Sequence, residues 1–261
     1  MMTFPGSVLF FLGAACFGIL IGSFLNVVIH RLPRMLEGNR PFEVYNLAWP
    51  RSHCPVCGQV LSWWQNIPLL SFAVQRGRCV ACGAAISWRY PFIELLTGVC
   101  FGLVGWHIGP SWLLPCALGF SAVLIALAAI DCECGLLPDA LTYPLLWSGL
   151  LFNLYSKMVS LDAAVIGVVC GYVFLWGLYW GFRLLTGKEG LGYGDFKLLA
   201  ALGAWLGWSA LPQVLLLSSL TGLLVGGILM VSGRMTRSDA LPFGPFLAFS
   251  GWLVWILGAR F

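Results

Sequence analysis

The sequence predicts an all-α polytopic membrane protein of about eight transmembrane helices, with a small cytoplasmic four-cysteine, zinc-ribbon-like subdomain. Three observations lead there. Only 9% of the 261 residues are charged and 60% are hydrophobic, whereas a soluble domain carries roughly 25% charged residues. The apolar residues gather into eight segments. The longest polar connection between them holds two Cys-x-x-Cys pairs. No soluble fold of this length hides so much apolar surface. The formal net charge of +4 is modest; it suggests no nucleic acid, and the placement of the charges says more than their sum.

The segments run near Val8–Ile29, Pro91–Ile108, Trp112–Ile130, Leu141–Leu154, Ala163–Leu185, Phe196–Trp208, Pro212–Val231 and Pro245–Leu257. The fourth and sixth fall short of the roughly 20 residues that a straight span needs. They are expected to tilt, or to stop where the protein lines a water-filled cavity. The first has no Lys or Arg before it and is too long for a cleavable signal, so it reads as a retained anchor.

Basic residues set the orientation. Arg31, Arg34, Arg40, Arg51, Arg76, Arg78 and Arg89 follow the first segment. Arg183, Lys188 and Lys197 belong to the fifth-to-sixth connection, and Arg234 and Arg237 to the seventh-to-eighth. That places 12 of the 14 Lys and Arg on one side, leaving Lys157 and Arg260 for the other. By the positive-inside rule the N-terminus is outside and the cysteine loop is cytoplasmic. Three parts follow: a first transmembrane helix over 1–30, a metal-binding loop over 31–90 and a transmembrane core over 91–261.

At the first cytoplasmic boundary stands Gly22-Ser23-Phe24-Leu25-Asn26, running on to His30-Arg31-Leu32-Pro33. The small residues permit close helix approach, Asn26 can hydrogen-bond across an interface, and Pro33 is expected to end the helix. Next come Cys54-Pro55-Val56-Cys57-Gly58 and Cys79-Val80-Ala81-Cys82-Gly83. Each pair offers two thiolates from one tight turn, and Cys54, Cys57, Cys79 and Cys82 together complete a tetrahedral site. A disulfide framework does not suit a reducing compartment. Structural zinc is therefore preferred to redox pairs. His53 is a neighbour rather than a ligand. Cys16, Cys100, Cys116 and Cys170 fill spans as small apolar residues, and Cys132 and Cys134 have no matching pair.

Three of the ten acids fall within Asp131-Cys132-Glu133-Cys134-Gly135-Leu136-Leu137-Pro138-Asp139, with no base among them. Acids at the end of an apolar helix are costly and point to a site. Asp131 adjoins the apolar run, Glu133 either borders the site or is solvated, and Asp139 reads as the N-cap of the next helix. A second carboxylate, Asp195, opens the sixth segment in Gly192-Tyr193-Gly194-Asp195-Phe196-Lys197, after Lys188-Glu189-Gly190-Leu191. Its simplest reading is a cap, or a partner of Lys197, but a cap does not explain acids at two helix ends on one membrane side. Two aspartates brought together can share one proton. One then acts as base on a water while the other acts as acid, which is peptide hydrolysis without metal or covalent intermediate.

At these motifs the chain resembles the bacterial type IV prepilin peptidases, or leader peptidase/N-methyltransferases, which are Gly-x-Gly-Asp aspartic peptidases. The matching pieces are Gly22–Pro33, both Cys pairs, Asn66-Ile67-Pro68, Arg89-Tyr90-Pro91 with Glu94, Ile130–Asp139, Gly192–Lys197 and Leu241-Pro242-Phe243-Gly244-Pro245. The resemblance implies that Asp131 and Asp195 are the catalytic pair and that Asp139 is not catalytic. It implies cleavage of a short basic leader from prepilins and type II secretion pseudopilins at the bacterial inner membrane. It further implies N-methylation of the new terminus with S-adenosylmethionine, the cysteine loop being associated with that second step. Membrane lipid is then the remaining partner. A carboxylate-based proton-coupled transporter is the alternative, but it would place its acids at the midplane of repeated halves. A thiol oxidoreductase would put its Cys pairs on the oxidising side.

Overall fold

The structure, a computed structural model, describes residues 5–38, 45–187, 190, 192–236 and 241–258. Each of the eight apolar segments forms a helix. They are α1 (Pro5–Leu36), α3 (Arg89–Ile108), α4 (Leu114–Cys134), α5 (Asp139–Ser156), α6 (Leu161–Thr186), α7 (Tyr193–Leu206), α8 (Leu211–Val231) and α9 (Gly244–Gly258). A short α2 (Leu70–Val74) lies in the connection between α1 and α3. Among the described residues no strand forms, only two isolated bridges. Five helices, α1, α3, α4, α6 and the stretch Trp208–Val231, are long and apolar enough to cross a membrane. The protein is thus a multi-pass membrane protein. Arg40, Lys188, Glu189, Leu191, Arg237 and Arg260 lie outside the described residues.

Two compact units divide the chain, 1–126 and 127–261, so that α4 contributes to both. In the first, α1 packs along α3. Glycines set the spacing: a Cβ at Gly18 would lie 2.7 Å from Phe101 Cβ, and one at Gly98 2.7 Å from Ile19 Cγ1. Such close backbone approach is how membrane helices gain dispersion contacts where lipid offers no hydrophobic drive. The expectation that Pro33 ends α1 is corrected. The helix runs three residues further, to Leu36, and Glu37 N–H still donates to Pro33 O at 2.9 Å. Proline removes only its own N–H and its bond one turn back, and here the next turn closes around it.

In the second unit α7 is the central element, packed by α5, α6, α8 and α9. At 14 residues it spans about 21 Å, well short of the roughly 30 Å hydrocarbon layer. It does not need to span, because protein surrounds it: Phe196, Leu198, Leu199, Ala201, Leu202 and Ala204 are fully buried. Gly167 and Gly203 let α6 and α7 touch backbone to backbone, a Cβ at Gly167 lying only 2.5 Å from Gly203 O. The C-terminal carbonyls of α7, which lack intrahelical partners, are met by Asn153 of α5. Its Nδ2 donates to Ala204 O at 2.8 Å and to Trp205 O at 3.1 Å, while Trp205 Nε1 donates back to Leu145 O at 2.8 Å. One end of α7 is therefore locked. The other carries Asp195.

Candidate active site and metal centre

Asp131 sits in the last turn of α4 and Asp195 in the first turn of α7, and both are buried, at 6% and 7% exposure. The two carboxylates feel each other electrostatically. Each holds one backbone N–H. Asp195 Oδ2 accepts from Gly192 N–H at 3.3 Å, reaching back as a residue at the third helical position can, so the cap expected of it is real. Asp131 Oδ2 accepts from Gly244 N–H at 2.9 Å. Gly244 opens α9, so its N–H is one of the donors a helix start leaves unused, and Asp131 supplies the missing acceptor. A Cβ on Gly244 would lie 2.6 Å from that same oxygen and 3.1 Å from Leu137 Cδ2. A Cβ on Gly194 would lie 2.7 Å from Leu137 Cβ. Leu137, in the segment after Asp131, is thus packed onto both Gly194 and Gly244.

Two expectations change here. Asp139 is not the N-cap of α5: Pro138 occupies that position with no side-chain cap, and Asp139 is the first helical residue. The carboxylate of Asp139 instead takes Lys197 Nζ with both oxygens, at 2.6 and 2.9 Å. Lys197 also lies over the Tyr143 ring, 5.3 Å from its centroid. Lys197 is therefore committed to Asp139 and does not serve as the counter-ion of Asp195. Glu133, Cys132 and Cys134 are exposed. A cavity of about 700 Å3 opens at the other end of α7, by Trp205, Leu216 and Trp255; its apolar lining gives it no part in hydrolysis.

In the first unit the Sγ atoms of Cys54, Cys57, Cys79 and Cys82 all lie within 4.8 Å of one another. Cys54 and Cys82 Sγ are 3.9 Å apart. Tetrahedral zinc with bonds of about 2.3 Å requires sulfur separations of about 3.8 Å, so the four thiols fit such an ion and would hold it with no open position. The cluster is built from a repeated unit, His53–Trp63 and Arg78–Trp88. In each, the glycine after the second Cys donates to the first Cys carbonyl (Gly58 to Cys54, Gly83 to Cys79, both 2.9 Å). Each first Cys N–H donates across the turn, to Gln59 O at 2.9 Å and Ala84 O at 2.8 Å. Gly58 and Gly83 take φ +72° and +73°, which L-residues rarely adopt. Backbone N–H groups of Cys57 and Val56 pull the Cys54 thiol down to about 6. The Ala84 N–H lowers Cys82, but desolvation and hydrogen bonds to Cys57, Cys79 and Cys54 outweigh it and its thiol rises to about 11. Four thiols this close together suit a cation, which removes the cost of gathering thiolate charge. His53 stays outside, its Nδ1 3.0 Å from Arg51 O.

Residues 16–108 match the family described as Bacterial Peptidase A24 N-terminal domain, and residues 118–227 match the Type IV leader peptidase family. The prepilin leader peptidase/N-methyltransferase of Aeromonas hydrophila is 52% identical over 257 residues, 93% of this chain and 89% of its own. The chain belongs to the type IV leader peptidase family. Like-named family members from Burkholderia pseudomallei (strain 1026b) and Pseudomonas aeruginosa are 48% and 46% identical, covering 95% and 92% of this chain and 85% and 88% of theirs. No solved structure matches the chain at a significant level. Nothing in these relatives supports the transporter alternative.

Two backbone hydrogen bonds have no counterpart in the sequence reading. One is the Gly244 N–H, a backbone donor that leaves no trace in residue type beyond the Leu-Pro-Phe-Gly-Pro run. The other is the tie from Glu94 Oε2 to Leu69 N–H, at 2.8 Å.

Proposed function

We propose that the chain removes the basic leader of type IV prepilins and type II secretion pseudopilins with Asp131 and Asp195, then N-methylates the new terminus. The observation that carries this is the pair of buried carboxylates at two helix ends near enough to interact electrostatically, each held by one backbone N–H, with Lys197 turned to Asp139. Two acids so placed share a single proton. The ionised one takes a proton from water as that water attacks the scissile carbonyl. The protonated one gives its proton to the carbonyl oxygen, and collapse of the tetrahedral species passes a proton to the leaving amine. Gly192 carries no side chain beside the Asp195 carboxylate, where a Cβ would lie 3.5 Å from Oδ2.

The loop over 31–90 is the metal-binding part, with zinc held by Cys54, Cys57, Cys79 and Cys82 to fold it, and 91–261 is the aspartyl peptidase core. The site and the loop face the cytoplasm across the bacterial inner membrane, as the basic residues argue. S-adenosylmethionine, which the relatives' names imply, supplies an electrophilic methyl group when bound. A buried acceptor-rich cluster suits the amine that receives it, and the donor's own residues are left unassigned.

Purified protein with a synthetic prepilin tests the dyad. Asp131→Asn and Asp195→Asn each lower leader cleavage by roughly 10²–10⁴-fold, the share general acid–base catalysis supplies. Undiminished cleavage in both variants would falsify the dyad.

A further inference from the structure

One buried polar cluster in the first unit is not used by the cleavage steps proposed above. It lies where α1 meets α3. Gly22 brings the helices so close that a Cβ there would lie 2.7 Å from Glu94 Cα. Along that seam Asn26 is 3% exposed and Glu94 7%. Asn26 Nδ2 donates to Tyr90 O at 3.1 Å and to Gly22 O at 3.3 Å. Glu94 Oε2 accepts the Leu69 N–H, and the Ser23 side chain hydrogen-bonds the same carboxylate. Ser23 and Asn26 share one face of α1, as Tyr90 and Glu94 share one face of α3.

What is left over has one sign. Asn26 Oδ1 is buried with no donor among the described residues, and the Glu94 carboxylate has lone pairs to spare. A buried acceptor without a donor costs roughly 1–3 kcal/mol, and a buried carboxylate without a cation costs more. No Lys or Arg donates to either among the described hydrogen bonds. Two buried acceptors along the α1–α3 seam, one without a donor and one with lone pairs to spare, make a place for a small cation bearing several N–H groups. The proposed reaction provides one: the ammonium at the N-terminus that leader cleavage creates.

We propose that this cluster is the methyl-acceptor site, in which Asn26 Oδ1 and Glu94 hold the substrate's α-ammonium and Glu94 removes its proton. The inference rests on the methyltransferase reading above. An ammonium has no lone pair, so it cannot be methylated until a base takes a proton. That proton goes to a Glu94 oxygen, the freed lone pair forms the N–CH3 bond, and the electron pair of the broken C–S bond leaves with the donor's sulfur. Ser23, half-exposed on the same turn, marks the edge from which the amine enters.

A purely structural tie is the competing reading, with a protonated Glu94 donating to Asn26 Oδ1. Glu94→Gln separates the two, because its amide supplies that donor and keeps the shape while removing the base. The full-length protein in nanodiscs is titrated with a peptide of mature pseudopilin N-terminal sequence, and with the same peptide lacking its α-amino group. Wild type is expected to bind the free-amine peptide about ten- to a hundredfold more tightly, the worth of charge-assisted hydrogen bonds. Glu94→Gln is expected to bind both alike and to lose methylation by about 100-fold or more, with leader cleavage kept. Wild-type methylation and amine preference in Glu94→Gln overturn the site. Should that variant lose cleavage through misfolding, wild type alone decides: equal binding of the two peptides sinks the proposal. A wild-type protein that cleaves but never methylates refutes the bifunctional reading instead.

Discussion

Gly244 contributes to the proposed dyad through its backbone. Its N–H donates to the Asp131 carboxylate at 2.9 Å, and its missing side chain leaves the space that carboxylate occupies. Gly244→Ala forces Asp131 Oδ2 away from a Cβ that would otherwise stand 2.6 Å off. A displacement of about 1 Å costs a catalytic group roughly 100-fold. Cleavage assays on this variant should therefore show a fall of about that size in kcat, with the helices intact by circular dichroism; full activity would mean the carboxylate is positioned by something else. Lys197 and Asp139 are different. Their ion pair is half-exposed, at 24% and 51%, and such pairs contribute about 0–1 kcal/mol. It ties α5 to α7.

At the level of elements, the two cysteine turns are one design used twice, and neither closes a metal site alone. Zinc analysis of purified protein is expected to find about one ion per chain, lost together in a Cys54→Ser and Cys79→Ser double variant. Undiminished zinc in that variant would place the metal elsewhere. The Cys54 thiol gives the metal-free loop a pH dependence. Its folded value, about 6, lies below the unfolded 9.0, so the stabilisation from its N–H donors is complete above about pH 9 and disappears as pH falls through about 6. Limited proteolysis of chelated protein should accordingly cut the 45–88 stretch faster at pH 6 than at pH 9. The opposite order would show that Cys54 does not govern the loop.

For the whole molecule, the distribution of basic residues argues that the loop over 31–90 and the helix ends bearing Asp131 and Asp195 share the cytoplasmic side. A membrane-impermeant thiol reagent tests this with the exposed Cys132 and Cys134. In intact spheroplasts they should stay unlabelled, and in inside-out vesicles they should react. Labelling from the periplasmic face would invert the topology.

Composition and periodicity were sufficient for the eight helices, because apolar segments this long have few alternatives in lipid. Local chemistry was enough to single out Cys54, Cys57, Cys79, Cys82, Asp131 and Asp195, since thiol pairs and acids at helix ends stand out in so apolar a chain. Their neighbours were not legible. Asp139 read as a cap and Pro33 as a helix end, because each judgement used only adjacent residues. Tertiary structure turned Asp139 to Lys197, carried α1 past Pro33, set Gly244 N–H on Asp131 and left Asn26 Oδ1 buried without a donor among the described residues. A hydrogen-bond partner is chosen by what packing brings near, and residues 113 positions apart leave no periodic signal to predict it.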